Sequence, residues 1–287
     1  MPPGRATTSP VATVALVVHP EHPDAPALAR RVALWLEAGG HHAREVGEGA
    51  DPAGGFDGSV DLAVSLGGDG TMLRTVALAT ARGTPVLGVN LGRLGYLTEV
   101  EPAGLTAALE RFLAGDYTLE TRMTLEVTHE SGPGAAVGPP RAVLNEAAVE
   151  KTVPGHTIRM TASIGGRPFV TYVADGLLVA TPTGSTAYNL SARGPILSPG
   201  LRALVLTPVS PHMIFDRPLV LEPEQWVRLE LVGPRPAVLV LDGQGGERLE
   251  PGDAVVCRVG DQPARLVTFG PRDFFSILRS RFHLPDR

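Results

Sequence analysis

The chain has 287 residues, a formal net charge of −5 and 43% hydrophobic residues. A single hydrophobic core stops growing near about 250–300 residues, so this length favours two domains. The negative charge argues against a general binder of nucleic acid or of anionic membranes. The single cysteine, Cys257, excludes an intrachain disulfide and a cysteine metal cluster, which suits a protein of the reducing cytoplasm.

Neither a targeting segment nor a membrane span is expected. Residues 1–10 lack the apolar run of a signal peptide. No apolar stretch approaches the roughly 20 residues that cross a bilayer. We therefore expect a cytoplasmic protein without membrane or nucleic-acid partners.

The first part of the chain alternates predicted strands and helices. The expected elements are, in order, a strand at 11–18, a helix at 25–38, a strand at 61–66, a helix at 72–82, a strand at 86–90 and a helix at 104–115. Residues 41–60 are expected to form a short edge strand and a loop. Nearly all-apolar strands of this kind are typical of a parallel sheet covered on both faces. The order predicts a doubly wound, Rossmann-like α/β domain.

After Tyr117 the hydrophobic period changes from helical to two-fold. Residues 118–128 alternate, and strand-like stretches are expected at 141–151, 157–164, 168–173, 177–181, 203–207, 218–221, 226–232, 237–241, 254–259 and 264–268. This pattern predicts an antiparallel, β-sandwich-like domain. A final helix at 273–279 is expected to return to the first domain. The predicted division is an α/β domain at 11–121 plus 268–287 and a β-rich domain at 122–267.

Three glycines interrupt the passage from the predicted strand at 61–66 to the following helix, in the string Gly67-Gly68-Asp69-Gly70-Thr71. Such a density of glycine destabilises regular structure, and close approach of the backbone to a ligand is the usual reason for it. The free N–H groups and the positive end of the next helix suit phosphate. Asp69 could take a proton or organise a metal, and the alternative is that it only caps the helix.

Three further segments combine polar residues with turn residues in an apolar setting. Asn145-Glu146 would need partners if buried, such as the hydroxyls and amino group of a ligand, unless it lies at a strand edge. Downstream of Asp175-Gly176, the string Thr181-Pro182-Thr183-Gly184-Ser185-Thr186-Ala187-Tyr188 offers donors and acceptors for a base or sugar and a stacking face on Tyr188. A capped helix start with a core tyrosine is the alternative. Asp242-Gly243 after an apolar strand is most simply a hairpin turn.

Together these strings resemble the NAD kinase family over most of the chain. The glycine string alone is shared with diacylglycerol kinases, sphingosine kinases and 6-phosphofructokinases, whereas the string from Thr181 to Tyr188 is specific to NAD kinases. Further matches are Asn90-x-Gly92-x-Leu94-Gly95-Tyr96-Leu97, Asn145-Glu146, Asp175-Gly176, Pro211-His212 before Arg217-Pro218, and Asp242-Gly243-Gln244. Arg193 and Ala180 depart from the family pattern, in which Gly and Ser are usual at these positions.

The resemblance implies transfer of a terminal phosphoryl group to the 2′-hydroxyl of the adenosine ribose of NAD, giving NADP. The donor would be ATP or inorganic polyphosphate, with Mg²⁺ or another divalent cation bridging its phosphates and no tightly held prosthetic group. The implied catalytic base is Asp69. The implied donor-phosphate ligands are Gly67, Gly68, Gly70 and Thr71. The implied NAD ligands are Asp69, Gly70, Asn145, Glu146, Asp175, Thr183, Ser185, Thr186, Ala187 and Tyr188.

In the family, the contact of Asp175 with the nicotinamide end can come from a neighbouring subunit. A homodimer or homotetramer built through the β-rich domain is therefore expected. Two alternatives stay open. A lipid kinase of the same superfamily would have no use for Asn145-Glu146, and a catalytically silent dinucleotide sensor would not need Asp69. The roles of His19, His22 and His212 are open.

Overall fold

The computed structural model of the protein describes residues 11–47, 50, 54–56, 58–92, 95–132 and 134–284. The tail at residues 1–10 and Leu94 of the family-like string lie outside these residues. Among the described residues no helix is long and apolar enough to cross a membrane.

The first part of the chain alternates strands and helices, as its sequence predicts. The elements are β1 (Thr13–Val18), α1 (Ala25–Ala38), β2 (His42–Val46), β3 (Leu62–Gly67), α2 (Asp69–Thr80), β4 (Val86–Asn90), α3 (Leu105–Leu113) and β5 (Thr118–Arg122). Strands β2, β1, β3 and β4 lie side by side and run parallel. Because α1 and α3 cover one face and α2 the other, β3 and β4 are buried along their whole length.

The middle of the chain is almost entirely extended. Its elements are β6 (Leu125–Ser131), β7 (Ala135–Ala136), β8 (Arg141–Val143), β9 (Glu146–Lys151), β10 (Ile158–Ile164), β11 (Arg167–Ala174) and β12 (Gly176–Ala180). A 3₁₀ turn at Gly184–Thr186 and a one-turn helix, α4 (Tyr188–Ser191), follow β12. The helical segment that follows the Thr/Ser-rich string is thus only a few residues long.

The last part adds seven strands and one helix. They are β13 (Leu204–Val209), β14 (Leu219–Leu221), β15 (Val227–Leu231), β16 (Ala237–Leu241), β17 (Gln244–Leu249), β18 (Ala254–Val259), β19 (Ala264–Thr268) and α5 (Phe274–Arg281). The sequence pattern did not predict β17, because its Gly-Gly-Glu-Arg composition carries no apolar alternation.

Two antiparallel sheets make up the β-rich part. One has the order β11-β10-β15-β18-β6-β7, with β8 also paired to β6, and the other has the order β14-β13-β12-β9-β16-β17. Alternate side chains of both sheets meet in one hydrophobic core, which includes Tyr172 from the first sheet and Leu177 from the second. This arrangement matches the expected sandwich.

The last strand returns to the first sheet. β19 pairs in parallel with β4 and antiparallel with β5, which gives the order β2-β1-β3-β4-β19-β5. The expected fold class is thereby confirmed: an α/β sheet domain, an antiparallel β domain and a final helix near the first domain. The exact division at residues 121 and 268 stays a prediction.

Two predicted strands are in fact pairs of strands in different sheets. Residues 118–128 split into β5 in the α/β sheet and β6 in the β-rich part, and residues 141–151 split into β8 and β9. Leu144 and Asn145 form the crossing between β8 and β9. An alternating pattern shows which face of a strand is buried, but it does not show which sheet the strand joins. The sequence therefore could not reveal either crossing.

We predict that Leu266→Ala in β19 destabilises the protein by about 2–5 kcal/mol, because the Leu266 side chain is buried and its loss leaves a cavity. Urea unfolding followed by circular dichroism measures this free energy. Leu119→Ala is the matched control: Leu119 lies on the paired strand β5 but is 40% exposed, and its loss should cost less than about 1 kcal/mol. Equal losses in both variants would contradict the assignment of β19 to the sheet interior.

Candidate active site

The glycine corner lies where β3 passes into α2. Gly68 is the N-cap of α2, Asp69 is its first residue, and no side chain caps the helix. The alternative interpretation of Asp69 as a helix cap is therefore wrong. Its carboxylate instead accepts hydrogen bonds from the backbone N–H groups of Tyr96 (2.9 Å) and Leu97 (3.1 Å).

Asp69 is also paired with a cation from the far end of the chain. Arg281, the last residue of α5, places Nη2 3.4 Å from Asp69 Oδ2 and its guanidinium 4.8 Å from the centre of the Tyr96 ring. Gly95 permits this arrangement, since a Cβ at that position would lie 2.3 Å from Asp69 Oδ1. The carboxylate is thus held in one orientation and remains about one-third exposed.

A cavity of about 470 Å³ opens beside Asp69, between the α/β sheet and the β-rich part. Five of the residues predicted to bind NAD line it: Asp69, Asn145, Thr183, Thr186 and Ala187. Further lining residues come from the segment that precedes and begins α5, namely Arg272, Asp273, Phe274, Phe275 and Ile277. Both the α/β part and the β-rich part of the chain therefore contribute residues to the walls of this cavity.

A second cavity, of about 380 Å³, lies at the start of α2. The described residues that line it are His19, Pro20, Gly68, Gly70, Thr71, Arg74 and Gln244. A Cβ built at Gly68 or at Gly70 would meet no described atom within 4 Å. Neither glycine is in the left-handed region of φ. Their missing side chains thus leave open space that faces the cavity, which is what close approach of a ligand requires.

The turn that carries Asn145 is held by one carboxylate. Asp242 accepts hydrogen bonds from the backbone N–H groups of Leu144 (2.9 Å), Asn145 (2.7 Å) and Glu146 (3.2 Å). Asp242 and Gly243 have φ of 50° and 69° and join β16 to β17. The hairpin-turn interpretation is thus correct, and the same turn also fixes the crossing from β8 to β9.

The string from Thr181 to Tyr188 packs directly against this crossing. Thr181 Oγ1 donates to the Leu144 carbonyl (2.5 Å), and a Cβ at Gly184 would lie 2.1 Å from the Asn145 carbonyl oxygen. Ser185 is fully buried, and its hydroxyl lies 2.6 Å from the Pro182 carbonyl. This packing turns Thr183 and Thr186 towards the larger cavity, while Ser185 supports the turn from inside.

Several predicted site residues do not line the larger cavity. The hydroxyl of Tyr188 donates to Glu150 Oε1 (2.5 Å), and Asp175 is paired with Lys151 Nζ (2.7 Å). Gly67 lines neither cavity. A Cβ at this position would lie 2.2 Å from Thr71 Oγ1, so the glycine is needed for packing. The roles predicted for these residues stay predictions.

Glu146 is buried beside Asp242, and its Oε2 has no hydrogen-bond partner among the described residues. Burial and, secondarily, the charge of Asp242 raise the pKa of Glu146 to about 8. Burial raises the pKa of Asp242 to about 6, although its three backbone hydrogen bonds oppose the shift. At neutral pH the Glu146 carboxyl group is therefore protonated and able to donate a hydrogen bond.

Sequence reasoning missed several charged residues around the larger cavity. Arg122 bonds Glu120 (2.9 Å) and reaches Thr183 Oγ1 (3.4 Å), and burial lowers its pKa. Arg272 donates to the carbonyls of Tyr96 (2.8 Å) and Leu97 (3.4 Å). These arginines stand in strand and loop segments without a motif, so only the fold brings them to the site.

The described residues contain no group of three or more His, Cys, Asp or Glu side chains placed to hold a metal ion. Mg²⁺ commonly keeps several waters and binds through one or two carboxylates together with substrate phosphates. Asp69 stands next to the glycine-lined cavity and can serve as such a carboxylate. Asp69 beside this cavity therefore fits a divalent cation that binds together with a phosphate ligand.

The protein thus consists of an α/β sheet with a glycine corner, joined to a two-layer β domain across the crevice that Asp69 lines. Solved structures share this fold. Yeast NADH kinase, crystallised with NADH, superposes with a TM-score of 0.84 at 22% identity and covers 97% of this chain and 89% of that chain. An NAD kinase from Archaeoglobus fulgidus in complex with ATP superposes with a TM-score of 0.70 at 24% identity, covering 95% and 98%.

Sequence comparison identifies the family. The model of the ATP-NAD kinase N-terminal domain matches residues 54–117, and that of the ATP-NAD kinase C-terminal domain matches residues 144–269. The NAD kinase of Heliobacterium modesticaldum is 44% identical over 283 residues, covering 94% of this chain and 98% of that protein. The chain belongs to the NAD kinase family, and its activity is that of a phosphotransferase acting on NAD. No match favours a lipid kinase or a silent sensor.

We predict that Glu146→Gln makes the protein more stable above pH 8. The folded protein holds the Glu146 proton up to about pH 8, whereas the unfolded chain releases it near 4.5. Stability is therefore lost as the pH rises between these values. A neutral amide removes this loss, which amounts to about 5 kcal/mol at pH 9, because each pH unit between the two pKa values costs about 1.4 kcal/mol. Urea unfolding at pH 5 and pH 9 measures it.

The exposed Glu224→Gln is the control and should leave the pH dependence unchanged. If Glu146→Gln and the wild type lose the same stability between pH 5 and pH 9, Glu146 is ionised in the folded protein.

Proposed function

We propose that the protein phosphorylates the 2′-hydroxyl of the adenosine ribose of NAD, with Asp69 as the base that accepts the hydroxyl proton. One observation carries this proposal: Asp69 lies between two cavities. One of them is lined by Asn145, Thr183 and Thr186, and the other by Gly68 and Gly70. An acceptor in the first cavity and a phosphoryl donor in the second would meet at its carboxylate.

The polar lining of the larger cavity suits the adenosine end of NAD. Asn145, Thr183 and Thr186 offer amide and hydroxyl groups, and Ala187 leaves room for a ring. Glu146, whose pKa is raised to about 8, donates a hydrogen bond from its protonated carboxyl group to a base or ribose acceptor in this proposal. Ser185 supports the turn. Tyr188 follows Ala187 directly but does not line the cavity, and its ring as a stacking face for the same ligand stays a prediction.

The donor in this proposal is ATP or inorganic polyphosphate, and a divalent cation enters with it. Phosphoryl transfer requires positioning and charge stabilisation more than covalent chemistry from the protein. Backbone N–H groups of Gly70 and Thr71 at the start of α2 suit the donor phosphates. The cytoplasm is the proposed location, because the one cysteine is buried and unpaired.

The reaction is tested by incubating the purified protein with NAD, Mg²⁺ and either ATP or polyphosphate. An NADP-specific dehydrogenase then reports NADP. We expect NADP from at least one donor, and the comparison identifies which donor is used. Failure with both donors, in a protein that still binds NAD by calorimetry, would reject the proposal.

We predict that Asp69→Asn lowers kcat by about 10²–10⁴-fold, because an amide cannot accept the proton. The dissociation constant for NAD should change little. The control Asp116→Asn replaces an exposed carboxylate that is paired with Arg111, and should retain full activity. A variant Asp69→Asn with near wild-type kcat would show that another group, or water, accepts the proton.

We also propose a homo-oligomer formed through an open-edge face of the β-rich part, made of strands β11 and β14 with Phe169, Ile214 and Val220. β11 and β14 are the terminal strands of their sheets, and the N–H of His212, in the loop between β13 and β14, donates to the Val173 carbonyl of β11. The three apolar side chains are exposed, Ile214 completely. Unpaired strand edges with exposed apolar side chains favour association.

Asp175 supports the same arrangement. It directly follows β11, its N–H bonds the Val209 carbonyl, and it does not line the larger cavity of its own chain. Across the open-edge face it could reach the dinucleotide of a second copy. In this proposal each subunit therefore completes its neighbour's nicotinamide site.

We predict that Ile214→Glu shifts the wild-type dimer or tetramer towards monomer in sedimentation velocity, because it introduces a charge into an apolar contact. Leu34→Glu is the control: Leu34 is 67% exposed but lies on α1, in the α/β part. It should leave the association state unchanged. A wild type that sediments as a monomer at all concentrations would contradict the proposed face.

A further inference from the structure

The two oxygens of the Asp69 carboxylate carry different numbers of hydrogen bonds. Oδ2 accepts from the Tyr96 N–H (2.9 Å) and from Arg281 Nη2 (3.4 Å), whereas Oδ1 accepts from the Leu97 N–H (3.1 Å). An ionised carboxylate has about four acceptor positions, roughly two on each oxygen. Among the described residues, three of these positions are occupied. The acceptor position that is left lies on Oδ1.

Arg281 is held against Asp69 by its charge and by its flat face. Its guanidinium lies 4.8 Å from the centre of the Tyr96 ring while Nη2 reaches the carboxylate. Its Nε is buried and has no hydrogen-bond partner among the described residues. A buried N–H without a partner is unfavourable. The ion pair and the ring contact therefore have to offset this cost wherever the side chain stays in place.

The segment that carries Arg281 also grips the loop beside Asp69 at a second point. Arg272, which precedes α5, donates to the carbonyls of Tyr96 (2.8 Å) and Leu97 (3.4 Å). These are the two residues whose N–H groups bind the Asp69 carboxylate. The two peptide N–H donors are thus fixed from the carbonyl side by Arg272, and the carboxylate that they bind is fixed by Arg281.

A helix cap sets the path between the two arginines. Asp273 is the N-cap of α5, and its carboxylate accepts hydrogen bonds from the N–H groups of Phe275 (3.0 Å) and Ser276 (3.2 Å). The cap fixes the direction in which the helix leaves Arg272. About two turns later, the same helix delivers Arg281 to Asp69.

We propose that Arg281 is a positioning residue, which orients the Asp69 carboxylate so that Oδ1 takes the proton of the reacting hydroxyl. This rests on the proposed function, in which Asp69 is the base. In that step the 2′-hydroxyl proton passes to Oδ1 and the hydroxyl oxygen bonds to phosphorus. The bond from phosphorus to the leaving oxygen of the donor breaks, and that oxygen keeps the electron pair. Arg281 acts through Asp69 and needs no contact with either substrate.

Arg281→Gln should lower kcat by about tenfold or more, because a misplaced reacting group slows the chemical step. Arg281 is not among the residues that line either cavity, so the KM values for NAD and for the phosphoryl donor should change by less than about twofold. Arg281→Lys keeps the charge but not the planar face, and should recover part of the lost kcat.

Arg279→Gln is the matched control, since it removes a cation from the same helix. The charge of Arg279 acts on the Asp273 cap rather than on Asp69. This variant should retain the kcat of the wild type. If Arg279→Gln and Arg281→Gln lower kcat equally, the charge of the helix matters and the contact with Asp69 does not, which would overturn the inference.

A double-mutant cycle separates positioning from a general structural role. In the Asp69→Asn background, Arg281→Gln should change the residual kcat by less than about twofold, because the group through which it acts is already lost. A structural role would give a further loss of the same size as in the wild type. Additive losses would therefore contradict the proposal.

Chemical rescue tests the same point with a small cation. In Arg281→Ala, low and non-denaturing concentrations of guanidinium chloride should raise kcat, because the free ion can occupy the vacated place beside Asp69 and Tyr96. Sodium chloride at equal concentration should not raise it, and Arg279→Ala should not respond. Absence of rescue, together with a kcat in Arg281→Gln that equals the wild-type value, would reject Arg281 as a positioning residue.

Hydrogen exchange tests the orientation without turnover. The N–H groups of Tyr96 and Leu97 bind Asp69, so a peptide that spans them should exchange faster in Arg281→Gln than in the wild type or in Arg279→Gln. Equal exchange in all three proteins would overturn the inference. If the wild type makes no NADP but this difference in exchange is found, the proposed function fails while the positioning of Asp69 by Arg281 stands.

Discussion

The site depends on one carboxylate that is not itself at the reaction centre. Asp242 collects the N–H groups of three consecutive residues, Leu144 to Glu146, at the point where the chain leaves one antiparallel sheet for the other. Without that acceptor, three buried donors would lack partners, at a cost of about 1–3 kcal/mol each. The hairpin that carries Asp242 also presents Gln244 to the Gly70 carbonyl. The turn at Asp242 and Gly243 thus holds the segment of Asn145, which lines the larger cavity, and Gln244 links this segment to the glycine corner.

The glycines around this site serve three different physical purposes. Gly67, Gly95 and Gly184 are required by protein neighbours, because a Cβ at each would lie within 2.3 Å of another atom. Gly243 is required by its positive φ in the hairpin. Gly68 and Gly70 have neither reason, and face a cavity instead. Protein structure alone therefore explains the first four glycines, whereas the open space at Gly68 and Gly70 is what the proposed approach of a ligand requires.

Electrostatics at the site are arranged by contacts between distant segments. Asp69 meets Arg281 across 212 positions of sequence, and Arg122, Glu120 and Arg272 form a linked group behind it. β19 makes this possible, because it brings the end of the chain back beside β4 and β5. The final helix has no buried residue, and its last residue, Arg281, joins it to Asp69.

The sequence by itself determined the alternation of strands and helices, the change to a two-fold period after Tyr117 and the strings that mark the family. These are local signals: periodicity, turn residues and glycine density act over a few residues. Tertiary structure alone decided where 118–128 and 141–151 cross between sheets, and that Ser185 faces inward while Thr183 faces the cavity. It also decided that Arg281 pairs with Asp69 and that Asp242 holds the turn from Leu144 to Glu146. Their roles depend on neighbours far away in sequence, which no local pattern encodes.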